Sequence, residues 1–204
     1  MKSIFGRAVA AVAIVAGLTV GAVVPANAAT GDETAAAEAV FTNVYNAPDP
    51  EAALAGLSST DRALFDKWVT PVFKVESVTP APKSAKASTT AARASCSQYT
   101  TRGSFSNQVG AKLGDFWTTG SACRSGNSVT SVSFVDGGGR TSALGWSYTG
   151  SSTGKGISNN TGYVYGQYKF KLQLGPVVAQ EPSYCARTVH TLGADFGDSR
   201  CGLG

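Results

Sequence analysis

Hydrophobic and polar positions alternate strictly over one long stretch, Asn160 to Val177 (NTGYVYGQYKFKLQLGPV). Val164, Tyr168, Phe170, Leu172 and Leu174 share one parity, interrupted only by Gly166. Tyr163, Tyr165, Gln167, Lys169, Lys171 and Gln173 share the other. Successive side chains of a strand point to opposite faces, so this period predicts a half-buried β-strand. One face belongs to a core. The other is an outward ladder of tyrosine, glutamine and lysine.

The second half of the chain repeats the pattern in shorter runs. Ser97–Ser106 carries Tyr99 and Phe105 at matching parity, and Leu113–Thr119 carries Phe116 and Trp117. Ser128–Asp136 puts Val132 and Phe134 on one face. Asp136-Gly137-Gly138-Gly139 predicts a turn into a strand over Arg140–Thr149, which groups Leu144, Trp146 and Tyr148. Gly150–Gly162, rich in Gly, Ser and Asn, predicts a long loop, and Ser183–Thr191 a last strand. About six or seven strands at this spacing predict a mainly β fold, an antiparallel β-sandwich or small barrel.

Ahead of these strands the period is helical. Asp32 precedes a predicted helix over Glu33–Tyr45, with Val40, Phe41, Val44 and Tyr45 as one stripe. Asp49-Pro50-Glu51 is a second start signal, for a short helix ending near Gly56. Ser58 and Asp61 stand at capping-box spacing before a third, whose apolar face is Leu64, Phe65, Trp68 and Val69. Val72–Val78 alternates as a strand would, and Thr79–Ser95 is low-complexity linker. The resulting division is a signal peptide (1–28), a small helical unit (29–76), a flexible linker (77–95) and a β-domain (96–204). The helical unit has few large apolar residues, so it is expected to pack on the β-domain or a partner, as a cap, pro-segment or docking arm.

Composition adds a destination. Lys2 and Arg7, an apolar run over Ala8–Val24 and the small-x-small triplet Ala26-Asn27-Ala28 form a secretory signal, with cleavage expected after Ala28 and no stable membrane insertion thereafter. Cys96, Cys123, Cys185 and Cys201 all follow it, and an even number in an exported chain implies two disulfides. Four cysteines allow three pairings. Cys185–Cys201 is favoured because that segment folds back about Gly193, which leaves Cys96–Cys123 as a hairpin pair. Residues 96–204 hold nine Lys/Arg against five Asp/Glu, a net +4. That is too sparse for a dedicated nucleic-acid surface.

Motifs for chemistry are thin. His190 is the single histidine, and with Asp195 or Asp198 it could complete a Ser-His-Asp triad. No serine stands in a G-x-S-x-G context, however, and Gly197-Asp198-Ser199-Arg200 lacks the glycines of an oxyanion hole. Glu181, the only glutamate of the β-half, sits beside Pro182 with no match to the base of secreted microbial ribonucleases, and paired glycosidase carboxylates are undersupplied. No Cys/His spacing for a metal and no phosphate or dinucleotide loop is present, so no metal or other cofactor is expected. Trp117, Trp146 and Tyr148 are read chiefly as core, with an aromatic platform as the alternative.

From Trp117 to Gly202 the chain shows Cys-x-x-Gly leading into Val-Thr-Ser-Val, then Gly-Trp-x-Tyr-x-Gly, an alternating Tyr/Lys/Phe strand and a late cysteine. This resembles small secreted β-rich proteins of actinobacteria, a likeness of structural motifs that implies no activity. Antitumour chromoprotein carriers are similar in architecture only, since their closely spaced cysteine pairs are missing. The expectation is a secreted, non-enzymatic binding or adaptor protein, alone or in a complex, that contacts another secreted protein. Its candidate surface is Tyr163, Tyr165, Lys169 and Lys171. The alternatives are a carbohydrate- or cell-wall-binding module, with polysaccharide as partner, and a small secreted hydrolase using His190 or a protease inhibitor presenting Ala186–Arg200.

Overall fold

The computed structural model describes residues 31–80 and 95–203, the side chains of 77–80 excepted. The expected signal peptide and most of the expected linker lie outside the described residues. Three helices come first: α1 (Gly31–Tyr45), α2 (Pro50–Ala55) and α3 (Ser59–Val69). Their starts follow the capping logic. Asp49 accepts from the Ala52 amide at 3.0 Å and Ser58 from the Asp61 amide at 3.1 Å, each satisfying a donor the helix leaves orphaned.

Nine strands follow among the described residues: β1 (Pro71–Pro80), β2 (Ser95–Asn107), β3 (Lys112–Ser125), β4 (Ser128–Thr141), β5 (Trp146–Ser158), β6 (Thr161–Leu174), β7 (Val177–Gln180), β8 (Ser183–His190) and β9 (Asp195–Asp198). They form two antiparallel sheets. The first has the order β1-β2-β3-β4, and the second the order β5-β6-β8-β9, with β7 continuing the β8 side of β6. Each is a meander in chain order, and the step from β4 to β5 passes the chain from one sheet to the other. The fold is the expected two-disulfide sandwich preceded by a helical unit, with Cys96–Cys123 and Cys185–Cys201 paired.

The long alternating stretch is β6, the central strand of the second sheet. Its even positions from Gly162 to Leu174 are all buried. They meet Phe105, Phe116 and Tyr184 in an aromatic cluster at one end of the sandwich. The middle of the interior is polar. Thr118 Oγ1 lies 2.6 Å from the Tyr168 hydroxyl and donates to the Ala186 carbonyl at 2.8 Å, while Thr101 and Thr188 share a 3.0 Å contact. Each of these hydroxyls thus finds a partner on the facing sheet, which a buried hydroxyl requires.

Three expectations change. Asp136–Gly139 is not a turn. It lies inside β4, with Gly139 opposite Phe116 and Gly138 opposite Trp117, and the reversal falls after Thr141. The glycines are there for close approach, since a Cβ at Gly139 would stand 2.7 Å from Phe170 and 2.8 Å from Tyr148. Gly150–Gly162 is not a loop either. It forms most of β5 and the start of β6, joined at Asn159 and Asn160, both at positive φ as a tight two-residue hairpin turn demands. Finally, Pro71–Pro80 pairs with β2 as an edge strand, so residues 71–80 belong to the first sheet rather than to the helical unit or the linker.

The helical unit closes the aromatic end. Phe41, Val44, Phe65 and Val69 are in the same buried cluster as Phe105, Trp146, Leu172 and Leu174. Hydrogen bonds join it too: the Thr34 hydroxyl donates to the Val109 carbonyl at 3.2 Å, and the Gln108 amide to the Lys67 carbonyl at 3.0 Å. The helices are therefore part of one core, not a separately folded arm.

Two substitutions test this packing. Phe65→Ala should cost about 3–5 kcal/mol of the stability of the whole chain, seen in urea as one shifted transition rather than the separate loss of a helical phase. Gly139→Ala should cost about 1–3 kcal/mol by overpacking, whereas a surface-turn glycine at this position would leave the urea midpoint nearly unchanged.

Candidate functional site

Two polar constellations stand out, one buried and one exposed. The buried one lies at the end of the sandwich opposite the helices. His190, last residue of β8, is fully buried, and its Nδ1 is 3.0 Å from Asp195 Oδ1 on β9. Arg124 on β3 pairs with Asp195 and donates from Nε to the Thr191 carbonyl at 2.7 Å. Ser97 on β2 accepts from Arg124 at 2.6 Å and donates to Asp195 Oδ2 at 2.9 Å. One carboxylate thereby ties β2 and β3 of the first sheet to β8 and β9 of the second.

Among the described residues no nucleophile stands within hydrogen-bond reach of the free imidazole nitrogen of this His-Asp pair. His190 Nε2 is buried with no hydrogen-bond partner, and it faces Gly120, where a Cβ would come within 3.1 Å. Tyr99 closes the ring edge-on at 6.1 Å. Burial pushes His190 below its ordinary pKa, and Arg124 adds to the effect. The charge and hydrogen bond of Asp195 oppose this without cancelling it. A neutral imidazole sealed from solvent orients strands; a general base needs reach to the proton it removes. The inhibitor segment also resolves into structure. Ala186–His190 is buried in β8 and 195–198 is β9, so what the segment presents to solvent is the turn at Thr191–Ala194, the Phe196 side chain and the end at Ser199 and Arg200.

The outward ladder of β6 has the expected parity, but the structure divides its members. Tyr163 stacks on Arg187, whose guanidinium carbon is 4.9 Å from the ring centroid. Arg187 is itself only 3% exposed, forked onto Asp198 at 2.9 and 2.6 Å and donating to the Gly202 carbonyl at 3.0 Å. Tyr165 lies across Gly154, and Leu203 across Gly156. The tail fixed by Cys185–Cys201 thus covers the tyrosine end. Lys169 is exposed and Lys171 half-buried further along the strand, beside a Gln167–Ser183 hydrogen bond of 3.0 Å. The four residues share a face without converging.

The exposed constellation is on the outer face of the first sheet. Arg102, Trp117 and Gly138 are cross-strand neighbours on β2, β3 and β4. The half-buried indole lies along Gly138, where a Cβ would stand 3.1 Å from the ring. Its Nε1 donates to Asp136 Oδ2 at 2.9 Å, which fixes its rotation. The Arg102 guanidinium reaches over the ring from the β2 side, 5.9 Å from the centroid, at the outer limit of cation–π contact. Around this row the charges are paired: Lys74 with Glu76 at 3.2 Å, and Asp115 with Lys112 at 2.6 Å and Arg140 at 3.2 Å. The hydrogen bond from Ser104, followed by Lys74, holds Glu76 below its usual pKa against the opposing effect of burial. Burial works to raise Asp115, but Lys112 and Arg140 outweigh it and hold the carboxyl low.

The sequence reading of Trp117, Trp146 and Tyr148 as chiefly core holds for Trp146 and for Tyr148, which packs against the core, but Trp117 takes the outer face that the platform alternative allowed. The signal was present: Phe116 and Trp117 are adjacent in a strand, so only one can face the core. A scan of family models and searches of curated proteins and solved structures give no match to this chain.

The buried pair predicts a pH dependence. With its folded pKa lowered, His190 binds fewer protons folded than unfolded, so stability rises with pH through this window. The contribution is complete above about pH 7 and is lost as pH falls from about 6.5 towards the depressed value. Urea midpoints should fall between pH 7 and pH 5, and His190→Gln should flatten that fall. An equal fall in the variant would assign it to other groups.

Proposed function

We propose that the protein is an extracellular, non-enzymatic binding module that holds polysaccharide on the outer face of the first sheet, around Trp117. The observation that carries this reading is the indole itself: flat along Gly138, locked by Asp136 and partly open to solvent on a rigid sheet. A flat aromatic face stacks on the apolar face of a pyranose ring, and polar groups at its rim meet the hydroxyls. With the indole already held by Gly138 and Asp136, binding costs little ordering, which favours weak, repeated contacts along a polymer. Export accords with the disulfides, which persist in oxidising compartments. No helix among the described residues is long and apolar enough to cross a membrane.

Protein–protein contact is the second reading, favoured by one observation. Val72 and Phe73 on the edge strand β1 are 56% and 46% exposed, beside a groove of about 380 Å³ lined by Ser104, Ser106 and Gln108. The bridging form of that idea needs two parts on a tether, and the shared core of helices and sandwich does not favour it.

Retention on insoluble polysaccharides and microbial cell wall tests the first reading. Trp117→Ala should lower retention roughly tenfold, the equivalent of about 1.4 kcal/mol, while Tyr165→Ala leaves it within twofold. Retention independent of Trp117, with capture of a stoichiometric secreted protein that Phe73→Asp abolishes, would transfer the assignment to the β1 edge.

A further inference from the structure

The charges around Trp117 are distributed by side, and this gives the platform a direction. On the β2 side stands Arg102, exposed and without an ion-pair partner among the described residues. On the β4 side stands Asp136, exposed, with one carboxylate oxygen engaged by the indole. Lys74, Lys112 and Arg140, the neighbouring cations described on this face, are each paired with Glu76 or Asp115. A sugar ring seated on Trp117 therefore meets a planar cation reaching in from the β2 side and a hydrogen-bond acceptor on the β4 side.

Few sugar rings match both sides. A neutral hexose supplies hydroxyl donors to Asp136 but leaves Arg102 with only neutral acceptors. A phosphate-linked polymer satisfies Arg102, but its anion lies in a flexible link rather than on the ring edge. A hexuronic acid carries its carboxylate one bond outside the ring and hydroxyls on the opposite edge. Guanidinium and carboxylate are planar groups that pair through two parallel hydrogen bonds, stronger and more directional than neutral ones. We infer that Arg102, Trp117 and Asp136 form a subsite for a uronic-acid residue of an anionic polysaccharide. Trp117 stacks on the ring, Arg102 pairs with the carboxylate and Asp136 accepts from the hydroxyls. This rests on the polysaccharide reading of the same face and adds the class of sugar.

The test compares polymers that differ in the carboxyl group alone. The oxidised, secreted chain is titrated by calorimetry or affinity electrophoresis with polygalacturonate, with its carboxyl-reduced, neutral counterpart, and with alginate as a second uronate. Tighter binding of a uronate than of the reduced polymer, by tenfold or more, is expected. Arg102→Gln should abolish that difference, and Arg102→Lys should recover only part of it, because an ammonium cannot make the paired contact. Lys155→Gln, which removes an equal charge from the second sheet, should leave the difference intact. If it shrinks as much as in Arg102→Gln, attraction is diffuse and the subsite is wrong. Equal, Trp117-dependent binding of charged and reduced polymers would overturn the uronate assignment and leave the polysaccharide reading standing. Absence of binding to all three polymers would overturn the uronate assignment. The retention experiment would then decide the broader reading separately.

Discussion

Tyr168 carries a phenolic oxygen into the centre of the space between the two sheets, and the surrounding structure is arranged to admit it. The side chain is completely buried, and burial pushes its pKa up to about 12, against a smaller opposing effect of the Thr118 hydrogen bond. A buried hydroxyl without a partner costs about 1–3 kcal/mol, so Thr118 must stand opposite it. The ring also needs room. A Cβ at Gly137 would come within 2.4 Å of the Tyr168 oxygen, and one at Gly166 within 2.2 Å. One residue on the long strand thus determines a threonine on β3 and two glycines, one on β4 and one on its own strand. These contacts fix how the two meanders lie on each other.

Away from that centre, the chain closes the sandwich differently at its two ends. The helices extend the aromatic core through Phe41 and Phe65, stacked at 6.1 Å, so closure there is apolar. The opposite end is closed by charge, through Arg124, Asp195 and neutral His190. Buried ion pairs add little net stability over an apolar filling, but removing either partner strands the other. The cluster therefore acts as a registration device, since it forms only when β2, β3, β8 and β9 are all in place. Cys96–Cys123 sits one position away, joining directly opposed residues of β2 and β3. Reading this end as incipient catalysis would mistake a structural role for a chemical one, because the imidazole edge that could act on a substrate is packed against Gly120.

The parts of the fold that were legible are those where one local rule suffices. Strict alternation located β6 and its buried face, and caps at Asp49 and Ser58 located two helix starts. Cysteine spacing gave both disulfides. What misled were glycines. Gly137–Gly139 and the Gly/Ser positions of β5 signal turns and loops by local preference, yet they lie in strands because large rings from elsewhere occupy their missing side-chain volume. The need for glycine at 139 is set by Phe170 and Tyr148, and nothing within a few residues of Gly139 announces it. Such a position cannot be told from a turn until pairing is known.

The same reasoning explains why the site proposed on the first sheet differs from the β6 ladder expected from the sequence. The β6 ladder was visible as a pattern, but a pattern reports which face a residue takes and not what later lies over it. Tyr163 and Tyr165 do point away from the core, and the C-terminal tail and Arg187 then cover that end. Trp117 has the converse history. Its strand neighbour Phe116 takes the core position, and Gly138 across the ladder leaves the indole a flat bed instead of a competing side chain. A large aromatic residue held outward on a bare strand removes little apolar surface from water at that spot. It is fixed there by Asp136 and flanked by Arg102, the cation of this face left without an ion pair among the described residues. Packing of the sandwich does not call for that combination, and the proposed recognition of a ring with an anionic group would use it.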